Sequence, residues 1–257
     1  MKILKFTLAG KNAFFKKPDV NAVLYFTYGN IHKIAIYGIF GAILGYGGYN
    51  QMNNYNQINK KDQLVYPEFY DKLKDIKLSI VPNNQNGFFE KKVQYFNNSV
   101  GYASKEEGGN LIVKEQWLEN PSWDIYILLE ENEICKNIEE RFLKRKFKYI
   151  PYLGKNDHVA TITNIDLIEN IKEINDVEII DSMFIKDKFE FSIDFEFDMW
   201  NLDNKETEFK YQEKLPYKLE ITTNQYILET FIYTNKKVEN VSDTKVYNVN
   251  NLNLCFI

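Results

Sequence analysis

At 257 residues the chain is long enough to bury a substantial core, as one large domain or two small ones. Its two cysteines, Cys135 and Cys255, and two histidines, His32 and His158, share no metal-ligand spacing, so a reduced, cytoplasmic protein without structural metal or cofactor is expected. The net charge of −4 argues against a nucleic-acid partner until its distribution is read: residues 1–62 hold eight lysines against two aspartates, residues 141–155 hold six basic residues and no acid, and residues 165–220 hold sixteen acids against seven lysines.

In chain order, Lys2–Leu8 alternates loosely through Ile3, Phe6 and Leu8 and is predicted to be a strand. A basic and aromatic lead-in follows, Lys11-Asn12-Ala13-Phe14-Phe15-Lys16-Lys17-Pro18. Ile31–Tyr46 is then apolar on nearly every side, and its Gly38, Gly41 and Gly45 suit a helix lying close against a sheet. Its apolar core is shorter than the roughly 20 residues of a membrane span. It begins too late for a secretory leader and lacks the Gly-Lys-Ser/Thr of a nucleotide P-loop.

Residues 47–62, rich in glycine, asparagine and glutamine, read as an irregular connector. Pro67 opens a short helix over Glu68–Lys74, and Lys77–Val81 reads as a strand stopped by Pro82. Residues 83–110 carry an Asn/Gln/Gly run and the pair Gly108-Gly109, and read as an inserted hairpin or finger. Leu111–Leu118 and Trp123–Leu129 are predicted strands joined by the turn Glu119-Asn120-Pro121-Ser122. Glu131–Lys146 is a helix with Ile134, Ile138 and Phe142 on one face, and Phe147–Tyr152 a further strand. That order matches the ferredoxin-like βαββαβ plan. Beyond Val159 the pattern turns to β: Phe189 to Met199 alternates apolar and polar residues, and strands are predicted around Tyr217–Ile221 and Ile227–Tyr233. The expected fold class is α+β, with one domain over residues 1–160, its insertion at about 83–110, and a β-rich region over 161–257.

Two constellations carry chemistry. Asn30-Ile31-His32-Lys33 places an amide, an imidazole and an ammonium at a helix start, where free N–H groups favour an anion. Tyr152-Leu153-Gly154-Lys155-Asn156-Asp157-His158 pairs a glycine able to expose backbone N–H groups with a cation, an aromatic and an imidazole. With the basic lead-in these suit a phosphate backbone. The candidate RNA contacts are Lys11, Phe14, Phe15, Lys16, Lys17, Asn30, His32, Lys33, Lys91, Lys92, Arg145, Lys146, Tyr152, Gly154, Lys155 and His158. No Ser-His-Asp order, paired carboxylates or metal cluster emerges, so no catalytic residue is assigned. A metal-independent ribonuclease using His158 with a Lys or Tyr is the alternative. A third reading is a scaffold that contacts only protein.

The segments Phe14–Asn21, Tyr28–Lys33, Gly41–Tyr46, Asn97–Tyr102 and Tyr152–Lys155 resemble the CRISPR-associated Cas family numbered five, closest to its type I-B branch, over Met1 to about His158. The resemblance implies a RAMP protein with a ferredoxin-like (RRM-like) domain, an inserted thumb hairpin at about residues 83–110 and a β-rich C-terminal part. Such proteins cap the repeat-derived 5′ handle of the CRISPR RNA in the Cascade surveillance complex. They contact its backbone and large subunits there, and meet target DNA through the complex. It further implies that Gly154 holds the glycine-rich-loop position and that Asn30–Lys33 starts the helix facing the handle. One branch, type I-C, is itself a ribonuclease with a Tyr, Lys and His set; Lys105 and Lys114 lie in that region here without an adjoining His. Asn156 and Val159-Ala160 stand where many relatives carry a second basic residue or Cys and a proline. In type I-B systems a separate endonuclease cuts the RNA, which implies a non-catalytic role here.

Overall fold

The computed structural model describes residues 1–19, 23–191, 207–240, 242 and 244–257. The strand β1 (Lys2–Ala9) and the short β2 (Asn12–Ala13) precede three helices, α1 (Lys33–Leu44), α2 (Tyr49–Ile58) and α3 (Glu68–Leu73). Next come β3 (Leu78–Pro82), β4 (Lys91–Asn97), β5 (Ile112–Glu119), β6 (Ser122–Leu129), α4 (Glu133–Leu143) and β7 (Thr161–Ile168). The remaining described strands are β8 (Ile171–Ile174), β9 (Phe184–Ile185), β10 (Phe189–Phe191), β11 (Lys210–Leu219), β12 (Tyr226–Thr234), β13 (Val238–Asn240), β14 (Val246–Val249) and β15 (Leu252–Cys255). The result is a mixed α+β fold with several antiparallel sheets.

The central sheet runs β3-β6-β1-β7 with every neighbour antiparallel. Alternation along β1 sends Leu4, Phe6 and Leu8 into one core and Ile3 into another. On the first face Phe6 meets Phe142 of α4 at 4.7 Å and Phe40 of α1 at 6.1 Å, which fixes both helices on that side. Ile3 instead joins Tyr126 and Leu128 of β6 against Tyr247, Val249 and Leu254 of the sheet β15-β14-β8. Ile257 exchanges backbone hydrogen bonds of 3.2 and 2.9 Å with Leu78 and so lines the outer edge of β3. β7 lies beyond residue 160, so the central sheet and its core continue into the segment expected to begin the β-rich region.

The inserted finger has different arms from those expected. β4 pairs with β5 from Lys91↔Leu118 to Asn97↔Ile112, so the segment read as a separate strand after the finger is its second arm. β2 pairs with the base of β5 and joins the hairpin to the lead-in.

Other expectations are corrected. Residues 49–58 form α2, not an irregular connector. Its anchors are Met52, which is buried, and Tyr49, which packs edge-on against Phe69 of α3 at 5.9 Å. The Asn56 side chain donates to Leu64 O and accepts from Leu64 N, tying down the chain that follows. Phe147–Tyr152 is not a strand. The Lys148 and Tyr149 N–H groups donate to Ile43 O and Ala42 O at 2.9 and 3.2 Å, serving carbonyls that α1 leaves unpaired at its end. β7 supplies the fourth strand instead.

The glycines of α1 do not face the sheet. A Cβ on Gly41 would stand 2.6 Å from the Phe69 Cβ of α3, so Gly41 permits a helix–helix approach, while Gly45 closes α1 in the left-handed conformation at φ 86°. Gly38 faces open space. The predicted alternating strand from Phe189 begins as β10, paired with β13, and its continuation at 192–199 lies outside the described residues.

Candidate nucleic-acid interface

The Gly154 turn is defined by its backbone. The Leu153 N–H donates to His158 O at 2.7 Å, the His158 N–H to Lys155 O at 3.0 Å, and Tyr152 bridges to Val159. Gly154 has φ 85°, and a Cβ there would lie 1.9 Å from the Phe14 carbonyl oxygen. Only glycine satisfies both constraints. The Phe14 N–H donates to Leu153 O at 3.0 Å, so the lead-in and the turn form one unit.

Lys155 closes this unit against the hairpin. Its Nζ donates to Glu115 Oε2 at 2.9 Å and lies 4.9 Å from the Phe96 ring centroid and 5.5 Å from that of Trp117. The cation is therefore neutralised and caged by β4 and β5 rather than presented to a ligand. His158 is only 4% exposed and sits 4.4 Å from Trp117, edge-on. Neither of its ring nitrogens has a hydrogen-bond partner among the described residues. Burial first, and then the Lys155 charge, lower its pKa, so the imidazole is neutral.

The helix start is consumed by the fold. His32 is the N-cap of α1, its Nδ1 accepting from the Ala35 N–H at 3.2 Å, a role usually taken by Ser, Thr, Asp or Asn. Its ring is packed among Phe15, Tyr28 and Tyr226, and burial pushes its pKa down to about 3. Asn30 is fully buried, accepting from Trp123 Nε1 at 2.9 Å and donating to Gly87 O at 3.0 Å. Lys33 is buried with its Nζ over Tyr217 at 4.8 Å, and desolvation lowers its pKa to about 8.

Six sequence candidates, Phe14, Phe15, Asn30, His32, Lys33 and His158, are thus buried. Three more lysines are engaged within the chain: Lys17 with Glu213 at 2.8 Å, Lys92 with Glu119 at 2.9 Å, and Lys155 as above. Arg145 is exposed but donates to Ile162 O at 3.2 Å. Lys11, Lys16, Lys91, Lys146 and Tyr152 remain exposed.

A cleft of about 940 Å³ runs beside α1. Ala35, Gly38 and Ala42, which share one helical face, line one side, and nothing lies within 4 Å of the point where a Cβ on Gly38 would stand. Tyr49 and Gln51 at the start of α2 line another part, and Tyr149, Tyr152 and the Gly154 turn a third. Lys16 also lines the cleft, with its Nζ 3.9 Å from the Tyr25 ring centroid and, among the described residues, no ion pair. The cleft brings Lys16, Tyr152, Gly154 and Lys155 together with the buried Phe14, Phe15 and His32, and leaves Lys11, Lys17, Asn30, Lys33, Lys91, Lys92, Arg145, Lys146 and His158 outside its lining. Tyr49 and Tyr149 were not among the sequence candidates. Pro151, which cannot donate to a sheet ladder, is the sequence signal against a strand at 147–152.

No family model and no curated protein matches this chain. Among solved structures it is similar to a chain of a CRISPR RNA-guided surveillance complex, at 10% identity over 93% of this chain and 91% of that one, with a TM-score of 0.48. A CRISPR protein from Archaeoglobus fulgidus is similar at 10% identity over 99% and 98% of the two chains, with a TM-score of 0.49. A Cas protein is similar at 11% identity over 60% and 57%, with a TM-score of 0.36.

Chemically, the cleft combines exposed tyrosine faces, a small-residue floor and an ammonium held on an aromatic ring. Aromatic faces stack unpaired bases at roughly 1–3 kcal/mol each, while a cation meets the backbone. Among the described residues no cluster of three or more His, Cys, Asp or Glu could hold a metal, and no helix is long and apolar enough to cross a membrane.

Proposed function

We propose that this chain is a non-catalytic RNA-binding subunit of a type I CRISPR Cascade complex, capping the repeat-derived 5′ handle of the CRISPR RNA in cytoplasmic antiviral defence. The observation that carries the RNA-binding part is the cleft beside α1, where Tyr49, Tyr149 and Tyr152 offer stacking faces and Lys16 a cation. The Cascade context rests on the sequence motifs that resemble the Cas family numbered five. The β3-β6-β1-β7 order, with α1 and α4 in the two crossovers, supports reading the N-terminal part as a ferredoxin-like RAMP domain. In this reading the β4–β5 hairpin is the thumb and the later strands are the β-rich region. Backbone and large subunits are the protein partners, and target DNA is met through the complex.

The test is to tag the chain in its native cells, purify it gently, and sequence the RNA and identify the proteins that accompany it. Guides sharing one constant 5′ end, with other Cascade subunits, are the expected result. Heterogeneous RNA or none overturns the proposal. The ribonuclease alternative predicts cleavage of repeat RNA in EDTA that is lost in His158→Ala.

A further inference from the structure

Three donors from two distant parts of the chain converge on one carboxylate. The Gly29 N–H donates to Glu213 Oε2 at 2.8 Å, the Tyr211 hydroxyl donates to the same oxygen at 2.7 Å, and Lys17 Nζ lies 2.8 Å from Oε1. Tyr211 and Glu213 stand two residues apart on β11, on the same face of the strand. Gly29 sits directly under this cluster: a Cβ there would stand 2.4 Å from the Tyr211 hydroxyl, 3.1 Å from Glu213 Oε2 and 3.4 Å from Lys91 Nζ. Two ammonium groups, Lys17 and Lys91, therefore border a cradle whose donors hold the Glu213 carboxylate. A backbone N–H, a phenol and a lysine grip a carboxylate here with a second lysine alongside, and the same donors suit a phosphate.

We infer that Gly29, Lys17, Lys91 and Tyr211 form an anion site occupied internally by the Glu213 carboxylate, which competes with an RNA phosphate for the same donors. The inference rests on the RNA-binding reading for the identity of the competitor, but not for the existence of the site. Glu213 acts as a built-in brake: a phosphate enters by displacing the carboxylate, which leaves with its charge. Removing that charge while keeping the shape frees Lys17 and Lys91. A weak exposed ion pair has little to offer stability alone, but here the carboxylate is mostly buried and holds a loop to β11. Thermal unfolding of each variant therefore accompanies the binding data.

The experiment compares the full-length wild type, Glu213→Gln and Lys17→Ala/Glu213→Gln, each titrated with a single-stranded RNA oligonucleotide over a range of salt and with inorganic pyrophosphate. Tyr211→Phe, which removes one of the three donors holding the carboxylate, is a second route should Glu213→Gln not fold. It is expected to shift affinity in the same direction by less. Glu213→Gln is expected to tighten RNA binding and steepen its salt slope by about 0.7, the value of one added single-strand phosphate contact. The double variant is expected to abolish both gains. RNA binding by the wild type that is unchanged or weakened in folded Glu213→Gln overturns the inference and leaves the RNA reading standing. Pyrophosphate bound by Glu213→Gln alone, with no RNA bound by any form, upholds the site and overturns the RNA reading. No anion bound by any form overturns both.

Discussion

The helix entry at 30–33 and the segment 148–155 teach opposite lessons about residues chosen for their chemistry. Asn30, His32 and Lys33 carry the groups expected to meet a phosphate, yet all three turn inward, as a hydrogen-bond bridge, a helix cap and a cation over a tyrosine. Phe147–Tyr152 was expected to be a strand, yet this segment caps the end of α1 and turns Tyr149 and Tyr152 into an open cleft. In both regions a long-range contact decides the direction of the side chain. Residue type alone does not.

The sharpest way to break the contrast is at Gly154, where the two regions meet. Gly154→Val combines a left-handed φ with a collision at Phe14 O and is expected to cost about 3 kcal/mol or more, read by urea unfolding. A normal midpoint would mean that the turn is not the rigid join described.

The inward-facing histidine makes a pH prediction. Because burial lowers the His32 pKa from 6.5 to about 3, the unfolded chain takes up a proton that the folded chain refuses. Stability is therefore full above about pH 6.5 and falls as pH drops from there toward 3, by up to about 1.4 kcal/mol per pH unit for this group. His158 acts in the same direction. His32→Asn, which keeps a capping side chain, is expected to flatten the dependence measured by denaturant titrations across that range. An equally steep profile in the variant would place the titration elsewhere.

How far the sequence could be read follows the same division. α4 was legible because Ile134, Ile138 and Phe142 repeat at helical spacing, although Asn132, expected inside the helix, is its cap; β12 was legible from its own residues, whereas of β11 only Tyr217–Leu219 fell in a predicted strand. α2 was not, since its Asn/Gln-rich surface hides a helix anchored by Tyr49, Met52 and the Asn56 clasp. Of the site, Lys16, Tyr152 and Gly154 were legible from composition and turn chemistry. Tyr49 and Tyr149 were not, because they reach the cleft only through tertiary placement. Nor does spacing show that Lys17 would meet Glu213 across nearly two hundred residues.

Two lysines, one outward and one inward, are expected to give the smallest effects. Lys16→Ala is expected to leave stability within about 0.5 kcal/mol and to flatten the salt slope of RNA binding by about 0.7. Lys33→Met is expected to leave that slope unchanged, since its ammonium is buried against Tyr217. Equal slopes for the two variants would erase the distinction between outward and inward cations.

Filling the cleft tests directly whether RNA binds beside α1. Gly38→Phe places a Cβ where nothing lies within 4 Å and directs its ring into the cleft, so the variant is expected to unfold at or above the wild-type midpoint. Its affinity for a labelled single-stranded RNA is expected to fall at least about tenfold, equivalent to about 1.4 kcal/mol. A folded Gly38→Phe that binds RNA as tightly as the wild type would contradict the assignment of this cleft as the RNA site.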